Sequence, residues 1–170
     1  MEQVLLVNEE DIIIGKEEKI KAHVLGLKHR AFSVFLLNSK GELLVQKRAK
    51  SKYHCPLQIA NSCCSHQREG ENTLNAAKRR LKEELGIKVN DLKEVAVISY
   101  NLDMRNGLIE NEVDHILIGK YDGKFSLNKE EVDSVMYLNL EYITNDMKLC
   151  NEKYTPWFLK IFPDVKKYLK

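Results

Sequence analysis

One segment constrains this chain more than any other: Asn72 to Ile87, NTLNAAKRRLKEELGI, a strongly patterned helix set among stretches that read as strands. Leu74, Ala77, Leu81 and Leu85 recur at helical spacing and predict one apolar face. Asn72 or Thr73 can cap its start, and Gly86 can close it in the left-handed conformation. At about 100° per residue, Thr73, Arg80 and Glu84 fall together on one flank of that stripe, while Glu83 points nearly opposite, to solvent. Arg80 and Glu84 can therefore share a cleft.

The strand signals around this helix are short. QVLLV and DIIIG flank NEE as an N-terminal hairpin, and AFSVFLLN and ELLVQKR flank the turn SKG as a second one. Strand signals return at EVAVISY, NEVDHILIGKY and SVMYLNL. Weaker helical signals lie in LEYITNDMK and in the C-terminal PWFLKIFPDVKKYLK, which Pro163 is expected to interrupt. Mixed strands around one strong helix, with further helices at the end, predict an α/β layered domain rather than a bundle or barrel. No repeat or low-complexity stretch appears, and the three prolines and eight glycines are scattered, so residues 1–170 read as a single domain. A chain of 170 residues buries a core without a metal or disulfide clip.

A net charge of +2, with no basic block outweighing its surroundings, argues against a dedicated nucleic-acid binder. The first residues, MEQVLLVNEEDIIIG, have apolar runs of only three to four residues, which fits neither a signal peptide nor a membrane anchor. The chain is expected to be cytoplasmic, with Cys55, Cys63, Cys64 and Cys150 reduced. Neighbouring Cys63 and Cys64 would form a strained disulfide with each other, so these thiols call for another explanation.

Chemistry-bearing residues gather in a few places. Glu110 and Glu112 stand in ENEV at the start of a strand, where alternation puts both carboxylates on one face. Two such anions are costly side by side unless a cation joins them, although a solvated strand edge has the same pattern. His115 falls on the opposite face beside Val113 and Leu117 and reads as a core or partner-bonded histidine. His23 and His29 precede a strand, and His66 follows Cys64 by two residues. Taken with the two carboxylates, these imidazoles form a mixed nitrogen and oxygen set suited to manganese, magnesium or a similar divalent ion. A zinc clip of Cys55, Cys63, Cys64 and His66 competes with that reading but lacks the paired two-residue cysteine spacing. Lys47, Arg48, Lys50 and Lys52 in QKRAKSK are a solvated loop or a cradle for a diphosphate, with Arg80 and Lys19 as further cations. The run lacks the interleaved aromatics of a single-strand nucleic-acid platform.

The helix resembles a Nudix box: Gly, five residues, Glu, seven residues, Arg-Glu, an aliphatic, one residue, Glu-Glu, one residue, Gly and an aliphatic. Glu71, Arg79, Leu81, Glu83, Glu84, Gly86 and Ile87 fit that spacing. Ser65 stands where the first Gly belongs and Arg80 where the Glu after Arg79 belongs. In Nudix pyrophosphohydrolases that Glu helps hold the metals that activate water. An Arg there reads as a phosphate ligand.

With NSCCSH, ENEV, RAKSK and TPW in this order, the chain resembles the type I isopentenyl diphosphate isomerases, from about Lys19 to Trp157. The resemblance implies a Nudix-like α/β/α layered fold with a mixed β-sheet and the interconversion of isopentenyl and dimethylallyl diphosphate. It implies Cys64, not Cys63, as the catalytic thiol, sharing acid and base roles with Glu112 and Tyr100. His23, His29, His66, Glu110 and Glu112 match the family's divalent-metal site, and Glu84 matches a carboxylate toward a substrate-linked Mg2+. The ion at the histidine site is expected to be Mn2+, Mg2+ or Zn2+, and no flavin is expected. Lys19, Arg48, Lys52 and Arg80 match diphosphate-binding positions, and Trp157 matches the tryptophan near the carbocation. The expected partner is a small-molecule diphosphate, with no nucleic acid or membrane, and the expected state is a monomer or weak dimer. A thiolate exposed at Cys64 would oxidise and alkylate readily. Two rivals stay open: a Nudix diphosphate hydrolase, and a binding module that senses a diphosphate.

Overall fold

A computed structural model describes residues 2–104 and 106–169. Among these the strands are β1 (Gln3–Val7), β2 (Ile13–Glu18), β3 (His29–Leu37), β4 (Leu43–Arg48), β5 (Ile59–Ala60), β6 (Cys63–Ser65), β7 (Lys93–Asp103), β8 (Ile109–Lys120) and β9 (Val132–Leu138). The helices are α1 (Lys19–Leu25), α2 (Thr73–Leu85), α3 (Leu140–Leu149) and α4 (Pro156–Val165), with single 3-10 turns at Asn151–Lys153 and Lys166–Tyr168.

β3 organises the sheet. It runs parallel to β8 from His29 opposite Glu112 to Leu37 opposite Lys120. Its other edge is shared by β1 at His29, β6 at Phe32 to Val34, and β4 at Leu37. β7 pairs antiparallel with β8, and β9 with β4, giving the mixed sheet expected from the sequence. The expected N-terminal hairpin is present, β2 running three residues past DIIIG so that Glu18 pairs with Gln3. The second hairpin is only partly so. β3 and β4 share the single rung Leu37–Leu43 and then separate, because β8 and β6 take the edges of β3 while β9 and β5 take those of β4.

Alternation along β3 divides the core. Phe32, Val34 and Leu36 pack with Ala76, Ala77, Leu81 and Leu85 of α2. Phe35 and Leu37 face Ile143 of α3 and Phe158, Ile161 and Phe162 of α4. The result is an α/β/α sandwich, each layer burying the stripe its period predicts. α2 begins where expected, the Asn72 side chain accepting from the Asn75 N–H, and ends at Gly86 with φ +68°. Its apolar stripe differs from the sequence reading: the small side chains of Ala76 and Ala77 let it sit close to the sheet, and Leu74 in the first turn is 38% exposed.

α4 continues through Pro163 to Val165. An internal proline costs about 3 kcal/mol. Burial of Trp157, Phe158, Ile161, Phe162 and Val165, at about 1.5–3 kcal/mol for each large apolar side chain, outweighs it. The last residue of the predicted C-terminal segment, Lys170, lies outside the described residues. α1 carries no strong signal in the sequence. It is seven residues long and held at its ends: Glu18 accepts from the Ile20 and Lys21 N–H groups, and Gly26 closes it at φ +62°.

Candidate active site

A cleft opens where β3 begins and β6 ends, bounded by α1, the loop after β4, and the start of α4. Its floor is one rung of the sheet. His29 on β3 pairs with Glu112 on β8, which pairs with Tyr100 on β7, so all three side chains project from the same face. Glu110 and Asp114 flank Glu112 on that face. Cys64 joins them from β6, opposite Ser33 of β3. The site is thus the continuation of the core face that α3 and α4 cover farther along the sheet, and Trp157 of α4 forms its apolar wall.

The cysteine doublet is divided by the same alternation. Cys64 packs with the Trp157 side of the core and lines the cleft. Cys63, fully buried, packs with α2. All four cysteines are free. Burial pushes the Cys64 thiol up to about 12 against the opposing influence of Arg48. The sequence expectation of an exposed thiolate is therefore corrected: Cys64 is partly buried and carries its proton at neutral pH.

α1 carries His23 into the cleft. Its C-terminal end is tied to β8 by Asn111, which points away from Glu110 and Glu112 and donates to the Gly26 carbonyl at 2.9 Å. His23 Nδ1 donates to the Lys19 carbonyl and His29 Nδ1 to the Leu27 carbonyl, both at 2.7 Å. A carbonyl accepts only, so each Nδ1 carries hydrogen and each neutral ring turns a bare Nε2 inward. Ligand atoms of His23, His29, His66 and Glu112, all buried, lie within 4.8 Å of one another. His23 Nε2 is 3.1 Å from Glu110, His29 Nε2 is 3.3 Å from Glu112 without hydrogen-bond geometry, and His66 Nε2 is 2.9 Å from Glu112. Imidazole lone pairs facing carboxylates at these distances need a proton or a metal cation between them, so the donor set fits a divalent ion.

The charges respond accordingly. Burial pushes the Glu112 carboxyl up, but the close imidazoles of His29 and His66 outweigh it and hold it well below the ordinary carboxylate range. Burial and Glu112 likewise push Glu110 up, and His23 and His54 bring it below its ordinary value. Burial lowers His23, but the bond to Glu110, the charges of Glu110 and Glu112 and the Lys19 carbonyl together raise it above its ordinary value, whereas burial drives His66 down to about 4. Tyr100 donates its hydroxyl to Glu112, and burial followed by the nearby carboxylates Glu112 and Asp114 raises it well above its usual range.

Cations face these groups from the rim. Arg48, buried, lies 5.1 Å from the Trp157 ring centre and donates to the His54 carbonyl. Lys52 pairs with Glu131 at 2.6 Å, and Lys19 with Glu2 at 3.0 Å. Arg80 binds Glu84 at 2.6 Å, Glu83 at 2.9 Å and Glu131 at 3.5 Å. Glu83 is thus held by Arg79 and Arg80 rather than directed to free solvent. Glu84 is buried and also accepts from Gln46 at 3.1 Å. Glu71 binds Arg79 through both oxygens, at 2.6 and 2.8 Å.

The NUDIX domain family matches residues 27–158. The isopentenyl-diphosphate Delta-isomerase of Serratia proteamaculans is 43% identical over 164 residues, covering 96% of this chain and 91% of its own. Its counterpart from Pectobacterium atrosepticum is 42% identical over 166 residues, with 98% and 92% coverage. This chain belongs to the isopentenyl-diphosphate Delta-isomerase family, within the NUDIX fold. The fold is shared with a solved protein of Deinococcus radiodurans at a TM-score of 0.78, with 19% identity over 96% of this chain and 98% of that one. A MutT protein of Methanosarcina mazei superposes with a TM-score of 0.66 at 16% identity, covering 84% and 96%.

In this family member, most residues singled out in the sequence line the cleft: Lys19, His23, Arg48, Lys52, Cys64, His66, Glu84, Tyr100, Glu110, Glu112 and Trp157. His29 lies fully buried behind them within the cluster of four ligand atoms. Glu110 stands outside that cluster of four, bonded to His23. Arg80 reaches the cleft through Glu84 and Glu131 rather than lining it. His115 is where the sequence put it, away from the cleft, bonded to Asp11 and Glu94. Tyr53, His54 and Glu131 line the isomerase-family cleft without having been identified in the sequence. The signal for His54 was its place two residues after Lys52 in the cationic run. Asp114, which accepts from Ser33 at 2.8 Å, could have been found by extending the alternation of Glu110 and Glu112 one step.

Proposed function

We propose that this protein interconverts isopentenyl diphosphate and dimethylallyl diphosphate by a 1,3-allylic proton shift in isoprenoid biosynthesis. The observation that carries the reading is Cys64, which keeps its proton at neutral pH, in one cleft with the hydrogen-bonded Tyr100–Glu112 pair. Moving a proton between two carbons needs a donor and an acceptor beside the same substrate. Hydrolysis needs an activated water and has no use for the thiol.

Cys64 on one side and Glu112 with Tyr100 on the other share the acid and base roles. One alkene carbon gains a proton, a tertiary carbocation or a close equivalent forms, and the allylic carbon loses a proton. Alkenes are very weak bases, so the pocket must exclude water while the proton moves. The Trp157 face offers π density to the cation, an attraction that grows in a dry site. Lys19, Arg48, Lys52 and Arg80 bind the diphosphate, displacing the carboxylates Glu2 and Glu131 that pair with them.

His23, His29, His66, Glu110 and Glu112 are read as holding a divalent ion, Mn2+, Mg2+ or Zn2+, which would supply positive charge against the buried carboxylates and strengthen the acids bonded to them. Glu84 is read as the carboxylate toward a Mg2+ arriving with the diphosphate. Residues 1–170 are taken as one domain acting as a monomer or weak dimer in the cytoplasm; the four free cysteines suit that compartment. No helix among the described residues is long and apolar enough to cross a membrane.

The test is to incubate the reduced protein with isopentenyl diphosphate and Mg2+ and to separate the products. Dimethylallyl diphosphate without phosphate release supports the proposal. Phosphate release without the isomer overturns it in favour of a NUDIX hydrolase.

A further inference from the structure

His54 is buried, lines the cleft and touches three parts of it. Its Nε2 is 3.1 Å from Glu110 Oε1, while the other oxygen of Glu110 faces His23. Its ring packs, tilted, against Tyr53 at 4.3 Å and Trp157 at 5.5 Å, centre to centre. Its carbonyl accepts from Arg48 at 3.2 Å.

The ring nitrogens of His54 are arranged differently from those of its neighbours. His23 and His29 spend Nδ1–H on main-chain carbonyls and turn bare Nε2 atoms inward. His54 Nδ1 is buried with no partner, and its Nε2 faces a carboxylate. A neutral ring with its hydrogen on Nε2 would point that N–H toward the Glu110 carboxylate, 3.1 Å away, a close polar contact that a small rotation of the ring aligns as a hydrogen bond. A donor on one oxygen of a carboxylate fixes which oxygen remains free and in what direction it points.

We propose that His54 is a positioning residue of the isomerase site: its Nε2–H holds Glu110 so that the second oxygen faces the histidine cluster, and its ring fixes the placement of Trp157. The proposal rests on the divalent-ion reading of that cluster. It assigns His54 no proton transfer and no contact with the ion.

His54→Phe keeps the ring against Tyr53 and Trp157 and removes the donor. His54→Gln restores a donor at about the position of Nε2. Each purified protein is titrated with Mn2+ alone by equilibrium dialysis, its kcat and KM for isopentenyl diphosphate are measured, and its thermal unfolding is recorded.

Loss of an outer hydrogen-bond partner of a metal site costs about 10–100-fold in affinity or activity. His54→Phe should therefore bind Mn2+ at least about tenfold more weakly and lose kcat by a similar factor, with KM within about twofold of the parent. His54→Gln should recover most of both. His54→Phe matching the parent in Mn2+ affinity and kcat overturns the proposal, as does His54→Gln failing as badly as His54→Phe. Should His54→Phe not fold, His54→Asn replaces it, its shorter amide falling short of Glu110, with the same expected losses. Glu112→Gln serves as the control for the reading beneath. A parent that holds no Mn2+, or a Glu112→Gln variant that holds it unchanged, overturns the divalent-ion site itself and the role of His54 with it.

Discussion

Cys63 and Cys64 are neighbours in sequence and face opposite layers of the protein. Cys63 packs against α2, and Cys64 lines the cleft with Glu112, Tyr100 and Trp157. Cys64→Ala should abolish isomerisation while leaving the fold intact. Cys63→Ala should keep most of the activity but cost about 1–2 kcal/mol of stability, because it leaves a small cavity under the helix. Comparable loss of turnover in both variants would contradict the assignment.

Alkylation of Cys64 should be slow and steeply pH-dependent. Only the thiolate reacts, and burial pushes this thiol up to about 12, so its reactive fraction rises as pH rises and falls as pH falls. The iodoacetamide rate at Cys64, followed by mass spectrometry, should climb about tenfold per pH unit from pH 8 to 10 without levelling. A plateau below pH 9 would mean that the thiol is activated rather than protonated.

Arg80 holds the buried Glu84 and, in the proposed function, also binds the diphosphate. Arg80→Ala leaves that carboxylate with Gln46 alone and should cost about 3 kcal/mol in urea unfolding. Arg80→Lys should restore much of the stability and still raise KM for isopentenyl diphosphate by about tenfold, since a point charge does not reproduce a planar fork. Unchanged KM in Arg80→Lys would remove Arg80 from diphosphate binding.

Gly86 ends α2 at φ +68°, and a Cβ there would lie 2.6 Å from both Cβ and the carbonyl oxygen of Ser126. Gly86→Ala therefore combines an unfavourable backbone conformation with a clash against main chain. It should lower stability by more than about 1 kcal/mol in denaturant unfolding. A neutral result would show that the turn after α2 gives way easily.

What the sequence made legible follows from period and charge. α2 was readable because its caps and its apolar stripe agree, and the shared face of Glu110 and Glu112 because a strand alternates strictly. Leu74 was misplaced because period alone does not say which edge of a stripe the sheet covers. The hairpin of β3 and β4 was over-read because competition among strands for one edge is a property of the whole sheet. α1 was missed because seven residues held by Glu18 and Gly26 carry too little periodicity to distinguish a helix from a loop. His54 was missed for a similar reason: it sits in an irregular loop, where residues distant in sequence, Glu110 and Trp157, decide its surroundings.

The central claim is proton movement between carbons in the cleft that holds Cys64 and the Tyr100–Glu112 pair. Its most direct test is to incubate the reduced protein with isopentenyl diphosphate and Mg2+ in heavy water and examine the product by mass spectrometry and NMR. The account predicts dimethylallyl diphosphate carrying solvent deuterium in its methyl groups, no release of phosphate, and neither product nor exchange with Cys64→Ala. Full deuterium-labelled turnover by Cys64→Ala, or phosphate release in place of isomerisation, would contradict it.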